Sequence, residues 1–186
     1  MSYTHFHQDE TERRKWQDPD AVLHEIGLGK GMVFVDVGCG PGFFAIPAAE
    51  AVGEKGKVYA IDVDPRSIEK LSERASKKGL KNIILKAASA EETVLFDDRA
   101  DMVFFGIDLH DFADPVKVLA NAMRMLKRGG RAVDLDWKRK AMPFGPPLWK
   151  RFTEEKAQKL ISDAGFTVKS SDKCGKYYYL IIAEKP

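Results

Sequence analysis

Three glycines in five residues, Gly38, Gly40 and Gly42, directly follow the apolar run Val33-Phe34-Val35-Asp36-Val37. This feature constrains the chain more than any other. A buried strand that passes at once into a helix needs unusual backbone angles at the turn, and glycine adopts them at no steric cost. The same turn leaves a crevice at the carboxyl end of the strand, where a ligand can lie against the backbone. The spacing is G-x-G-x-G. The dinucleotide fingerprint G-x-G-x-x-G would need glycine at 43, where Phe43 stands, so NAD and FAD fit poorly. No G-x-x-x-x-G-K-S/T phosphate loop is present, so ATP or GTP hydrolysis has no support.

Around this loop, strand-like and helix-like segments alternate from residue 18 onward, which predicts an α/β fold with a mostly parallel sheet. Asp-Pro opens three of the predicted helices, at 18–19, 64–65 and 114–115, with Asp as cap and Pro at the first helical position. A helix over 43–52 contains Pro47, which is expected to bend it. Residues 88–99 are the weak point: Ser89 could start a helix, but Asp97-Asp98 ends it early. The helix after Asp114 shows Val118, Leu119, Ala122 and Leu126 on one face, and Gly129-Gly130 turns into a strand over 131–136. The last two strands, 166–171 and 177–183, are joined by too short a turn for a parallel crossover, so they are expected to be antiparallel neighbours.

A length of 186 residues suits one domain over 18–186, preceded by a segment, 1–17, expected to fold over the site when it is occupied. Thirty basic against 28 acidic residues give a charge of +2, which argues against nucleic acid as a partner. Cys39 and Cys174 cannot form a disulfide framework, and a reducing, cytoplasmic compartment is the simpler reading. No apolar run is long enough for a membrane helix, so no membrane association is expected.

The second chemical signal is Asp62, at the end of the second predicted strand and 20 residues beyond Gly42. A carboxylate there can accept both hydroxyls of a ribose in the crevice. With this pairing the sequence resembles the class I S-adenosylmethionine-dependent methyltransferases, most closely their ubiquinone/menaquinone-type small-molecule group. Val35–Gly42 looks like the first motif of that class, with Asp36 as its acidic residue, and Leu126-Lys127-Arg128-Gly129-Gly130 looks like the turn before its fifth strand. The resemblance implies a Rossmann-like, doubly wound sheet of seven strands, mostly parallel with an antiparallel last strand. It also implies S-adenosyl-L-methionine as cofactor, held by Asp36, Gly38, Cys39, Gly40, Gly42, Asp62, Val63, Ser89, Ala90 and Gly106. One departure is visible: the family often has Gly-Asp-Ala after the third strand, where this chain has Ala88-Ser89-Ala90. Ser89 offers a hydroxyl in place of the charge, while Ala90 keeps its backbone N–H for the adenine.

Methyl transfer from a sulfonium requires positioning, and requires a base only if the nucleophile must lose a proton. Gly106-Ile107-Asp108-Leu109-His110-Asp111-Phe112 follows the fourth strand and would stand at the lip of the crevice. Asp108, His110 and Asp111 are therefore the candidate catalytic residues, with His110 the natural base near neutral pH. The histidines show no metal spacing, and no metal is expected. Loop 137–152 interleaves aromatic residues with Lys138, Arg139, Lys140, Lys150 and Arg151, and is expected to shape a pocket for a partly anionic acceptor. A small-molecule methyl acceptor is the leading reading. An RNA or protein methyltransferase, a non-catalytic S-adenosylmethionine-binding module and a homodimer stay open.

Overall fold

The computed structural model describes residues 10–172 and 175–186. Seven strands form one sheet in the order β3-β2-β1-β4-β5-β7-β6. They are β1 (Val33–Val37), β2 (Lys57–Asp62), β3 (Ile83–Ala87), β4 (Ala100–Gly106), β5 (Leu126–Trp137), β6 (Thr167–Asp172) and β7 (Tyr178–Glu184). The pairs β1–β2, β1–β4, β2–β3 and β4–β5 are parallel, while β7 runs antiparallel to both β5 and β6. The expected seven-stranded, doubly wound sheet is therefore present. The chain order reverses beside β1, between β1 and β4, which is the switch point where such sheets open a crevice.

Six helices complete the described chain: α1 (Glu10–Arg14), α2 (Pro19–Glu25), α3 (Ala45–Val52), α4 (Pro65–Lys77), α5 (Pro115–Met125) and α6 (Glu154–Asp163). Each Asp-Pro pair does what its chemistry predicts. Asp18, Asp64 and Asp114 accept hydrogen bonds from the first-turn amides of α2, α4 and α5, and Thr153 does so for α6. Such a cap contributes about 1 kcal/mol.

Helices cover both faces of the sheet. Leu23 of α2, Ala48 of α3 and Leu71 of α4 pack with Phe34 and Phe104 on one side. Leu119 of α5 and Ile161 of α6 pack with Val35, Val103 and Phe105 on the other. Neighbouring rings obey the strand period of two: Tyr178 enters the first core and Tyr179 the second.

Three local expectations change. Helix α3 begins at Ala45, so Pro47 lies in its first turn, where an amide has no helical partner to lose. Leu126 leaves α5 and opens β5, with residues 127–130 bulging out between the pairs Ala100–Leu126 and Met102–Arg131. Residues 88–99 form turns without a helix, anchored by Phe96 edge-on to Tyr59 at 4.8 Å. No helix of the described residues is long and apolar enough to cross a membrane.

Candidate active site

The carboxyl ends of β1, β4 and β5 open into one cavity of about 570 Å³. Its floor is the glycine loop. Gly38 has φ +76°, and a Cβ there would stand 2.7 Å from the Asp108 carboxyl, so a side chain is excluded twice over. A Cβ on Gly42, at φ +93°, would strike Leu71 at 2.4 Å, so this glycine seats the loop on α4. Gly40 has open space where a side chain would go, which leaves backbone exposed to a ligand. Cys39 is buried, with its thiol 3.5 Å from the Gly40 carbonyl oxygen. Burial, then the negative charge of Asp36, raises its pKa and keeps it an unreactive thiol.

Asp62 is locked in place. One oxygen accepts from the Gly40 amide at 2.7 Å and the other from the Asp64 amide at 2.8 Å. Each carboxylate oxygen keeps a further lone pair for a ligand. Val63 beside it is 73% exposed and is not among the residues lining the cavity. Asp36 is buried, and its Oδ2 has no hydrogen-bond partner. Burial, then the nearby Asp62 carboxylate, pushes the Asp36 pKa up to about 7, against the pull of Arg13.

The end of β4 supplies the opposite wall. A Cβ on Gly106 would come within 2.8 Å of the Phe104 ring, so the strand must end without a side chain there. Ile107 then adopts φ +76°, a strained conformation for a β-branched residue, while its amide donates to the Leu135 carbonyl at 2.8 Å. The kink delivers Asp108 against Gly38. Burial, then the charges of Asp36 and Asp62, hold the Asp108 carboxyl well above the usual range.

Helix α1 closes one side. The Arg13 guanidinium lies over the Phe43 ring at 3.9 Å, and its Nε donates to Gln17 at 2.7 Å. Burial pulls the Arg13 pKa down, while Tyr178, Asp108 and Asp36 pull it up. Arg74 clamps the helix from below, donating to both Glu10 and the Pro41 carbonyl. Trp16 packs on Trp137, Phe144 and Tyr178, with centroid distances of 5.9, 5.2 and 6.0 Å. Tyr3, His5, Phe6 and His7 of the N-terminal segment lie outside the described residues, as does Cys174.

The third side is formed by His110, Asp111 and the loop after β5. His110 Nδ1 is 2.8 Å from the carboxylate of Asp136, near the end of β5. Asp111 is half exposed and paired with Lys150 at 3.0 Å. Burial lowers the His110 pKa, but the hydrogen bond and charge of Asp136, with Asp111, outweigh it and leave the value above the ordinary 6.5. Asp136 did not stand out in the sequence; its signal is a carboxylate in an apolar strand where a core residue belongs.

Two of the basic residues of the 137–152 loop, Arg139 and Arg151, are turned on the loop itself. Arg151 is buried and donates to the carbonyls of Pro146, Lys138, Lys140 and Phe144. Arg139 donates to Leu148 O, and Lys138 to Gly175 O. Arg151 thus serves as the loop's internal brace, where the sequence suggested a ligand contact. Trp137, Gly145, Pro146, Pro147 and Lys150 reach the cavity.

Ser89 and Ala90 lie beyond β3, outside the lining of this cavity. Ser89 donates to Glu91 at 2.6 Å, and the Ala90 carbonyl accepts from Asn121 at 2.9 Å. Among the described residues, no group of three His, Cys, Asp or Glu side chains could hold a metal ion.

The cavity thus has a strongly acidic end at the glycine loop and an aromatic end at Trp16 and Trp137. The family model described as "Methyltransferase domain" matches residues 28–179. The chain belongs to this methyltransferase family. A solved S-adenosylmethionine-dependent methyltransferase from Aquifex aeolicus superposes with a TM-score of 0.89 at 32% identity, covering 96% of this chain and all of that one. The demethylmenaquinone methyltransferase of Geobacillus kaustophilus is 32% identical over 122 residues, which are 66% of this chain and 51% of that protein. The aklanonic acid methyltransferase of Streptomyces sp. is 37% identical over 116 residues, 61% of this chain and 52% of that protein. The chain spans about half the length of the curated relatives it matches. The methyl donor of this methyltransferase family is S-adenosylmethionine, and the residues present suit it. An orphaned buried oxygen on Asp36 and the acidic ring of Asp36, Asp62 and Asp108 favour a ligand carrying positive charge, as its sulfonium and ammonium do.

Proposed function

We infer that the protein transfers a methyl group from S-adenosylmethionine to a small molecule. The observation that carries this reading is the single cavity that joins the glycine loop to the His110–Trp137 end. In it, Asp62 would hold the ribose and the exposed backbone of Gly38 and Gly40 the amino acid part, while the exposed Val63 next to Asp62 would reach the adenine from outside the cavity lining. Asp36 and Asp108 would face the ammonium and sulfonium, and Arg13 the carboxylate of the donor. When bound, the donor supplies a methyl carbon already activated for in-line attack.

The acceptor would enter between Trp16, Trp137 and the Pro146-Pro147 turn, where aromatic walls and the covering loop exclude water. Two similar proteins carry small-molecule acceptors in their names, demethylmenaquinone and aklanonic acid, which supports the same substrate class here. An RNA acceptor is disfavoured by the engagement of Arg139 and Arg151 with loop carbonyls. The buried free thiol of Cys39 agrees with a reducing, cytoplasmic setting.

Parallel calorimetric titrations with S-adenosylmethionine, S-adenosylhomocysteine and NAD test the reading. The first two are expected to bind and the third not. Binding of NAD alone would overturn it.

A further inference from the structure

Three carboxyl groups, those of Asp36, Asp62 and Asp108, converge on the acidic end of the cavity. Asp62 is held by the Gly40 and Asp64 amides. The other two are not matched in this way. Asp36 is 2% exposed, lines the cavity and leaves its Oδ2 without a hydrogen-bond partner. Asp108 is half-buried and lines the same cavity, and among the described residues no group donates a hydrogen bond to its carboxyl. Facing Asp108 are Asp36 and the Cys39 thiol from β1 and its loop, Asp62 from β2, Asp136 from β5 and the Arg13 guanidinium from α1; His110 and Asp111 share its turn. Arg13 also serves the Phe43 ring and Gln17, so it does not balance three anions. Burial and the neighbouring carboxylates therefore favour the protonated forms of Asp36 and Asp108 in the empty cavity. Carboxyls this close share their protons and titrate as a pair.

The donor and its spent form differ by one charge. S-adenosylmethionine carries a sulfonium, and the S-adenosylhomocysteine left after transfer carries a neutral thioether; the ammonium and carboxylate are common to both. A cation brought among carboxyl groups favours their anionic form and displaces the proton. A ligand without that charge leaves the proton where it is. We propose that Asp108 is the residue by which the cavity separates the sulfonium donor from its thioether product, with donor binding driving a proton off the Asp36–Asp108 pair and loss of the sulfonium charge drawing it back. This rests on the methyl-transfer reading above and deepens it. The proton passes to solvent when the donor binds and returns from solvent after transfer. The product is then left beside a neutral acid that no longer holds it by charge, which favours its release. The preference for donor over product grows as pH rises, because fewer protons remain to be displaced.

The test is calorimetry on the full chain with S-adenosylmethionine and with S-adenosylhomocysteine, each in phosphate and in Tris at one pH. The two buffers take up a proton with different heats, so the difference in apparent binding enthalpy counts the protons released. Near pH 7 the wild type should release about 0.5 proton more for the donor than for the product. The ratio of the two affinities should then rise about threefold between about pH 6.5 and about pH 7.5. Asp108→Asn should remove about half or more of that excess and flatten the ratio, since it takes away one acid of the pair and one neighbour of the other. Equal proton counts and a ratio independent of pH in the wild type would overturn the proposal, even if the variant does not fold. A full excess persisting in folded Asp108→Asn would overturn the assignment to Asp108. If neither ligand binds the wild type, the methyl-transfer reading itself fails; if both bind with equal proton counts, only this inference fails.

Discussion

The two ends of the cavity are built by different means. At the glycine loop most of the site is local in sequence: Asp36 through Gly42 are contiguous and Asp62 is tied to the turn by the Gly40 amide, with Asp108 and Arg13 added from the end of β4 and from α1. At the aromatic end the residues come from four separate places. Trp16 follows α1, His110 follows β4, Asp136 and Trp137 end β5, and the Pro146-Pro147 turn arrives later still. The first end is acidic and strained, with the carboxyls of Asp36 and Asp108 pushed upward by burial and then by neighbouring carboxylates. The second is aromatic, and its charged groups are paired, His110 with Asp136 and Asp111 with Lys150. A site for a common donor can be fixed by a local motif, whereas a site for a particular acceptor is assembled by tertiary contacts.

Substitutions should separate the two ends. The largest effect is expected from Asp36→Asn. The unfolded chain ionises Asp36 near 3.8 and the folded chain near 7, so the native state binds the proton more tightly and loses stability as pH rises between those values. The loss approaches about 4 kcal/mol. In urea denaturation the ligand-free variant should match wild type near pH 4 and exceed it by up to that amount near pH 8, while its affinity for S-adenosylmethionine falls. Equal stability of the two proteins at the higher pH would remove the carboxylate strain from the comparison.

Next comes Gly38→Ala. Positive φ and the 2.7 Å approach of its Cβ to Asp108 should together cost about 3 kcal/mol, or roughly a hundredfold in donor affinity by calorimetry. Asp62→Ala removes hydrogen bonds to a charged acceptor, each about 1.5–3 kcal/mol, and should weaken donor binding about tenfold or more. Wild-type affinity in that variant would refute the ribose assignment. The smallest effect on the donor is expected at the other end. Arg151→Ala frees four loop carbonyls and should lower Tm by about 3–6 °C for a loss of about 1.5 kcal/mol, with donor affinity changed by less than about twofold. A donor affinity that fell with Tm would mean that the ends are coupled.

The same division explains what could be read from the chain. The succession of strands and helices along the chain, the Asp-Pro caps and the antiparallel final strands follow from periodicity, capping chemistry and a turn too short for a crossover. The glycine loop and Asp62 announce themselves by spacing. Asp136 does not, because a carboxylate inside a strand has meaning only once His110, 26 residues away in sequence, is folded against it. Arg151 misled for a related reason: a basic residue in a long loop looks free until the loop's own carbonyls are seen around it. Arg13 looks like one of three consecutive bases, and only the fold shows it stacked on Phe43 while its neighbours stay at the surface. Pro47 misled by two residues, the distance between an expected and an actual helix start.

The ring cluster that fastens α1 to the sheet also gives the protein an optical gauge of its own state. Of three tryptophans, Trp16 and Trp137 stand 5.9 Å apart within that cluster, and Trp149 is 69% exposed. Emission from the pair therefore reports whether α1 is seated, and emission from Trp149 reports the solvent. A quencher such as iodide will reach the exposed Trp149 more readily than the half-buried Trp16 and the buried Trp137, so the two signals can be separated in one cuvette. Any ligand that lifts or tightens α1 should change the shielded component alone, without a label or an added probe.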